Sequence, residues 1–300
     1  MNNLEFIEEY KKFISFEKRL NPSSVKSYLR DINALLKLNE NKELNSYKLE
    51  DIRKNISILH SKGLGGKSLS RVLSSWRGLF NFLSHQYKFK KNPTLGIKAP
   101  KSKKLLPQTL SVDQTVKLVD IKDDSFLGIR DHAILELFYS SGLRLSELVN
   151  LNQNDINYDD GTISVIGKGD KERVVPLGSF ASKAIKKWIG LRKKIGGVTY
   201  ENKIMFLSQN AKKLTPRAIQ YRLKFWAIKQ GIPENIHPHL LRHSFASHLL
   251  QSSQDLKAVQ ELLGHENIST TQIYTHLDFQ HLSKIYDKTH PRAKKKLERK

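Results

Sequence analysis

Four short segments of this chain place chemically capable side chains beside apolar helical positions: GLRLSEL at 142–148, GKGDKER at 167–173, HPHLLRH at 237–243 and LLGHENISTTQIYTHL at 262–277. Guanidiniums such as those of Arg144 and Arg242 can clamp the oxygens of an anion through paired hydrogen bonds. The ammonium of Lys168 and the imidazoles of His239 and His265 can hold or move protons. The phenol of Tyr274, with an ordinary pKa of about 10, becomes a nucleophile once a base and a positive field assist it.

Each segment alone also has a plainer reading. Gly142 interrupts an apolar helix, so Arg144 emerges at a helix boundary, yet its spacing to Glu147 equally suits a structural ion pair. Lys168 falls at the tip of a hairpin, from which it can reach into a groove or simply remain a solvated turn lysine. The glycines around it do not form a Walker phosphate loop, which needs a longer spacing and a following Ser or Thr. HPHLLRH opens a helix, with His237 ahead of it and Pro238 early in it, so His239 and Arg242, three apart, share a face and can address one target. His239 and His243 have the i, i+4 spacing of a zinc pair, but the Glu of HExxH is missing. His243 and His248 read as packed or surface histidines. In the last segment one helix ends at Gly264 and another starts at Ser269, whose spacing to Gln272 fits a capping box, leaving His265 in the break. Tyr274 alone would be a core tyrosine with a satisfied hydroxyl.

The elements that must position these groups are mainly helical. Residues 4–20 carry an apolar stripe of Leu4, Ile7, Tyr10, Ile14 and Phe16, and a second helix starts near residue 21, with Asn21 as cap, Pro22 at the first position and Leu20 against Val25 as a hydrophobic staple. A later helix bears Leu69, Val72, Trp76, Phe80 and Leu83 after the turn-rich SKGLGGK at 61–67. Between Pro93 and Pro107 the periodicity stops in PTLGIKAPKSKKLLP, which predicts an extended basic linker. A helix follows Ser111, whose spacing to Gln114 fits a capping box. The convincing strands are TISVIG at 162–167 and RVVPLG at 173–178, a hairpin with KGDKE at its tip. The expected organisation is a helical domain at 1–92, a linker at 93–108, a mainly α domain with a small β-hairpin at 109–290, and a solvated basic tail at 291–300.

The 300 residues hold 52 Lys and Arg against 29 Asp and Glu, a formal net charge of +23. Such an excess calls for a polyanion, and nucleic acid is the simplest; an acidic membrane surface fits less well, because the basic residues run along the whole chain and not one amphipathic helix. Cysteine is absent, which excludes disulfides, thiolate metal sites and a thiol nucleophile and suits a reducing compartment, so a cytoplasmic protein is expected. MNNLEFIEEYKKF lacks the layout of a signal peptide, and no apolar run approaches a membrane span.

The order Arg, Lys, His-x-x-Arg, His and Tyr, with these flanks, resembles the tyrosine recombinase (phage integrase) family across both halves of the chain. The resemblance implies a catalytic set of Arg144, Lys168, His239, Arg242, His265 and Tyr274, and a two-domain DNA clamp made of a helical SAM-like core-binding domain and a catalytic domain. It implies cleavage and rejoining of DNA through a 3′-phosphotyrosine, with no cofactor, nucleotide or metal. The two arginines would hold the non-bridging phosphate oxygens, His239 would act as base, Lys168 would protonate the departing 5′ hydroxyl with Lys171 as its nearest rival, and His265 would bond the same phosphate. The stretch VQELLGHENISTTQIYTHLDFQHLSKIYDKTHPRAKKK is similar to the branch of the family that resolves chromosome dimers. That implies a tetramer with a XerD-type recombinase on a dif-type site, an FtsK-type translocase as regulator, and exchange of a C-terminal helix around Asp278–Tyr286 between neighbours. The basic tail is the one departure from the pattern. Competing readings are a type IB topoisomerase, a non-catalytic basic DNA-binding protein and a metal-dependent nuclease using the histidines.

Overall fold

The computed structural model describes residues 2–40, 42–89, 92–100, 109–167, 172–197, 203–233, 235–263 and 285–293, and the chain divides into two compact units, Met1–Leu106 and Pro107–Lys300.

The first unit is helical. Helix α1 (Asn3–Lys12) is capped by Asn2, whose side chain accepts from the amides of Leu4 and Glu5, both at 2.9 Å, while Glu5 accepts from the Asn2 amide at 3.0 Å. A π-helical turn, Phe13–Glu17, extends it. Helix α2 (Pro22–Leu38) starts where the sequence predicts, with Asn21 accepting from the amide of Ser23 at 2.9 Å. Helices α3 (Leu49–Ser61) and α4 (Gly66–Tyr87) complete the unit. Its core gathers Ile32, Leu35, Ile52, Leu69, Trp76 and Leu83, all fully buried, and the Trp76 indole donates to the Asp31 carbonyl at 2.7 Å.

Two expectations for this unit need correction. Leu4, in the first turn of α1, and Phe16 are exposed, at 68% and 77%. Phe16 lies two residues beyond the buried Ile14, a rotation of about 200° on a helix, so burying one turns the other outward. Nor does an extended linker begin at Pro93. Asn92 accepts from the amide and hydroxyl of Thr94 at 2.9 and 2.7 Å and donates to Asn81 at 2.7 Å, and Arg77 holds the Ile97 carbonyl at 3.2 Å. These bonds fold 92–97 back on α4, with Thr94 and Ile97 buried. The local turn chemistry of Asn overrides the loss of periodicity.

The second unit opens with α5 (Val112–Val119), where Ser111 and Gln114 form the expected capping box at 3.1 and 2.9 Å. Helix α6 (Phe126–Ser140) is buried along most of its length, from Gly128 to Ser140, which makes it the spine of this core. Helix α7 (Leu145–Asn150) leads to an antiparallel sheet of β1 (Ile156–Asn157), β2 (Thr162–Ile166) and β3 (Glu172–Pro176), in the order β1-β2-β3. Strands β2 and β3 form the expected hairpin, from Thr162 opposite Pro176 to Ile166 opposite Glu172. The two-residue β1 is too short to leave a sequence signal. Helix α8 (Ser179–Arg192) packs on α6, and α9 (Pro216–Lys229), α10 (Pro238–Ser253) and α11 (Leu256–Leu263) follow. Among the described residues no helix is long and apolar enough to cross a membrane.

The end of the described chain is docked onto this unit. Residues 285–289 form a helical turn, Tyr286 stacks on His290 with centroids 5.0 Å apart, and the Ala293 carbonyl accepts from the Ser179 amide at 2.8 Å. Arg292 is buried and pairs with Glu136, its Nε 3.2 Å from Oε2. The solvated tail expected from residue 291 therefore does not begin there: without the Arg292 guanidinium, Glu136 would be a buried uncompensated charge. Tyr286, placed by the sequence reading in a segment exchanged between neighbours, is buried in its own unit; 278–284 and 294–300 lie outside the described residues.

Burial, reinforced by the charges of His248 and Arg292, pushes the His290 imidazole down from 6.5 to about 3. The unfolded chain therefore binds a proton near pH 6.5 that the folded unit refuses until about pH 3. His290 contributes stability above pH 6.5 that is lost as pH falls through that window, with a slope of at most about 1.4 kcal/mol per unit. Urea unfolding at pH 7 and pH 5 should show this loss, and His290→Asn should flatten it relative to the unsubstituted protein.

Candidate active site

Helix α6 ends at Ser140 and the chain reverses through Gly142, which has a φ of +59°. A Cβ there would sit 2.6 Å from the Phe245 ring, so both the left-handed backbone and the close approach of α10 require glycine. The turn sends Leu143 into the core and leaves Arg144 as the residue capping α7. Glu147, one turn into α7, accepts from the Arg144 amide at 2.7 Å through Oε2 and from its Nη1 at 2.7 Å through Oε1. The ion pair that the spacing allowed is thus present, and it orients a guanidinium whose side chain keeps 29% of its surface exposed.

Arg242 enters from the start of the second turn of α10, with His237 capping that helix through a 3.1 Å bond from the Leu240 amide to Nδ1. Arg242 is buried; its Nη1 donates to the Gly142 carbonyl and its Nη2 to the Leu263 carbonyl. Arg144 Nη2 donates to the same Leu263 oxygen at 3.3 Å. Two guanidiniums from segments far apart in sequence therefore meet at the Leu263 carbonyl of α11. Burial first, and then the positive charges of Arg144 and Arg173, lower the Arg242 pKa to about 10 against the opposing charge of Glu147. It remains a cation at neutral pH.

Arg173 completes the group. From β3 it donates Nη1 to Glu147 Oε1 at 2.5 Å and Nη2 to Oε2 at 2.9 Å. Burial raises the Glu147 pKa, but the hydrogen bond and charge of Arg173, and then the bonds from Arg144, outweigh it and hold the carboxyl below its usual range. By sequence alone Glu147 is only a partner for Arg144, and Arg173 is a strand residue. A signal was available: in the alternation of β3, exposed at Glu172 and Val174, Arg173 and Val175 share the inward face. A cation on that face demands an internal anion.

His239 is exposed on α10, three residues before Arg242, and its charge helps to lower the pKa of the neighbouring His237, after burial. His243 is also exposed, whereas His248 is buried between the Tyr139 hydroxyl at 3.0 Å and the Leu110 carbonyl at 2.9 Å. Among the described residues no three His, Asp or Glu side chains are grouped as metal ligands would be. Of the six expected site residues, the structure brings Arg144 and Arg242 together and places His239 on the helix of Arg242. Lys168, between β2 and β3 in sequence, and His265 and Tyr274, after α11, lie outside the described residues, as does Lys171.

The chain belongs to the phage integrase family, the tyrosine recombinases that cleave and rejoin DNA: residues 108–281 match the Phage integrase family and residues 7–87 the phage integrase N-terminal SAM-like domain. Within it the chain is XerC-like. It is 45% identical over 293 residues to Tyrosine recombinase XerC of Pseudomonas fluorescens (strain Pf0-1), covering 96% of this chain and 97% of the relative. To Tyrosine recombinase XerC of Chromobacterium violaceum it is 47% identical over 276 residues, covering 92% and 91%. In fold it is similar to XerH site-specific recombinase bound to palindromic difH substrate, with a TM-score of 0.70, 24% identity and coverage of 94% of this chain and 84% of the other. A lambda integrase dimer bound to a COC′ core site gives 0.69 and 18%, covering 91% and 99%.

Where two guanidiniums bind a phosphate in its transition state, the loss of one donor costs about 10²–10³ in rate. Arg242→Lys, which keeps the charge but not the fork, should lose cleavage on that scale while a gel shift shows DNA affinity within a few-fold of the original. Equal losses of binding and cleavage would remove Arg242 from the clamp.

Proposed function

We propose that this recombinase cuts DNA by in-line attack of the Tyr274 hydroxyl on a scissile phosphate held by Arg144 and Arg242. The observation that carries the reading is the convergence of these two guanidiniums on one main-chain oxygen, a geometry suited to the non-bridging oxygens of a single phosphate. His239 takes the phenol proton, Lys168 protonates the departing 5′ oxygen, and His265 hydrogen-bonds the phosphate as charge accumulates on it. The phosphorus–tyrosine bond forms as the phosphorus–5′ oxygen bond breaks, leaving a 3′-phosphotyrosine. A 5′ hydroxyl from another strand reverses the step, so the bond energy is kept and no nucleotide is consumed.

The helical N-terminal domain and the catalytic domain both bind the duplex, and the basic residues at the end of the chain take no part in the chemistry. The likeness to XerC supports a cytoplasmic enzyme that acts with a XerD-type recombinase in a heterotetramer, with exchange of a segment ahead of Tyr286. It also supports a dif-type site, an FtsK-type translocase as regulator, and a role in chromosome partition at cell division.

A nicked dif-type suicide duplex, which traps the covalent product, tests the chemistry. Tyr274→Phe should bind this DNA normally and form no adduct; an adduct in that variant rejects the assignment. Lys168→Ala should cleave slowly and recover on DNA whose scissile 5′ oxygen is sulfur, a leaving group that needs no proton. Failure to recover would move the acid role to another residue, Lys171 first.

A further inference from the structure

The most unusual buried group outside the proposed phosphate contacts is Arg173. A cation on the inward face of a short strand is costly unless fully compensated, and here the compensation is shared. Glu147, almost inaccessible, receives one bond from each arginine on each oxygen: Arg173 Nη1 at 2.5 Å and Arg144 Nη1 at 2.7 Å on Oε1, and Arg173 Nη2 at 2.9 Å and the Arg144 amide at 2.7 Å on Oε2. With Arg144 as its sole cation, Glu147 would cancel that guanidinium's charge and would keep a single bond on each oxygen. With Arg173 the trio keeps a net positive charge, and each carboxylate oxygen is held by two donors. Arg173 also stands opposite Val165, one pair in from the turn end of the β2–β3 hairpin, so the same bonds tie that hairpin to the start of α7.

We propose that Arg173 is a positioning residue for DNA cleavage: it holds both oxygens of Glu147 so that Glu147 in turn sets the Arg144 guanidinium against the phosphate. This rests on the proposed role of Arg144. Arg173 touches neither the DNA nor the reacting atoms. Its effect passes through the carboxylate, so its loss changes the phosphate clamp and not DNA affinity.

The test uses the full-length chain and two nicked dif-type suicide duplexes, one with an ordinary scissile phosphate and one with a methylphosphonate, in which a neutral methyl replaces a non-bridging oxygen. Single-turnover cleavage at saturating protein, DNA affinity and thermal melting are measured for the original chain, Arg173→Lys, Arg173→Gln, Glu147→Gln and the Arg173→Gln/Glu147→Gln pair. Arg173→Lys keeps the charge, but one ammonium cannot hold two oxygens as a planar fork does. It should melt and bind as the original does and cleave about 10–100-fold more slowly, the scale typical of groups that orient a primary contact. On the methylphosphonate, which needs less positive charge, the deficit should shrink to a few-fold. In the double variant, the loss of Arg173 should add little to the loss of the Glu147 charge. Deficits that multiply in the double variant or persist undiminished on the methylphosphonate would overturn the proposal, as would Arg173 variants that cleave normally while melting lower. Absence of an adduct in the original chain would overturn the reading of the site itself, whereas an adduct there with unimpaired Arg173 variants would overturn this inference alone.

Discussion

The catalytic unit is organised around an unfavourable requirement: two, and with Arg173 three, guanidiniums must be held close together with little water between them. Like charges at such separations repel by several kcal/mol even at an effective dielectric of about 20. The fold answers with fixed negative groups. Glu147 stands between Arg144 and Arg173, and the Gly142 and Leu263 carbonyls face Arg242. Each acceptor comes from the end of an element, since Glu147 caps α7, Gly142 follows α6 and Leu263 ends α11. Helix termini carry the carbonyls and amides left unpaired by the helix itself, which is why a cationic site is built from them.

That arrangement holds only if the helix ends cannot drift, and the core around α6 supplies the restraint. At one end Asp131 accepts from Arg130 Nε and Nη2 at 3.1 and 2.9 Å, from Arg222 Nε at 2.5 Å and from the Trp226 indole at 2.9 Å, which joins α6 to α9. Further along, Glu136 takes Arg292 from the end of the described chain. Past its last residue, Gly142 lies against Phe245 of α10, three residues on from Arg242. Buried charges are poor stabilisers compared with apolar packing, but once paired they tolerate few alternative arrangements. In this unit they occur where α6 meets its neighbours, so they define the register in which Arg144 and Arg242 meet.

Much of this was legible in the sequence wherever the cause was local. Asn21 and Ser111 announce helix starts because a cap acts within three residues, and the β2–β3 hairpin declares itself through a β-rich run on either side of a charged turn. Arg144 and Arg242 could be singled out because a glycine break and a His-Pro start mark the backbone that presents them. What stayed hidden depends on partners distant in sequence. Leu263 accepts from Arg144 across 119 residues, and Glu147 serves Arg173 across 26; no periodicity encodes either. Expectation and structure also part at Asn92 and at Arg292. Asn92 holds 92–97 against α4 although the segment has lost its helical pattern, and Arg292 is drawn inward by a glutamate on α6 although its sequence surroundings are those of a solvated tail.

The net charge of +23 and the buried arginines do different physical work. Exposed lysines and arginines act on DNA through many weak, salt-screened contacts that confer affinity without geometry. Arg242 and Arg173, both buried, are removed from that screening, and their fields reach the site nearly undiminished. Burial has its own cost, seen in the lowered pKa of Arg242, and the protein meets it with carbonyls that hold the cation without neutralising it and with one carboxylate divided between two arginines. A second carboxylate would have made the cluster more stable and the field weaker. In the proposed mechanism the surplus of one positive charge in the trio of Arg144, Glu147 and Arg173, added to that of Arg242, meets the single charge of a phosphodiester and the second that develops as it is attacked.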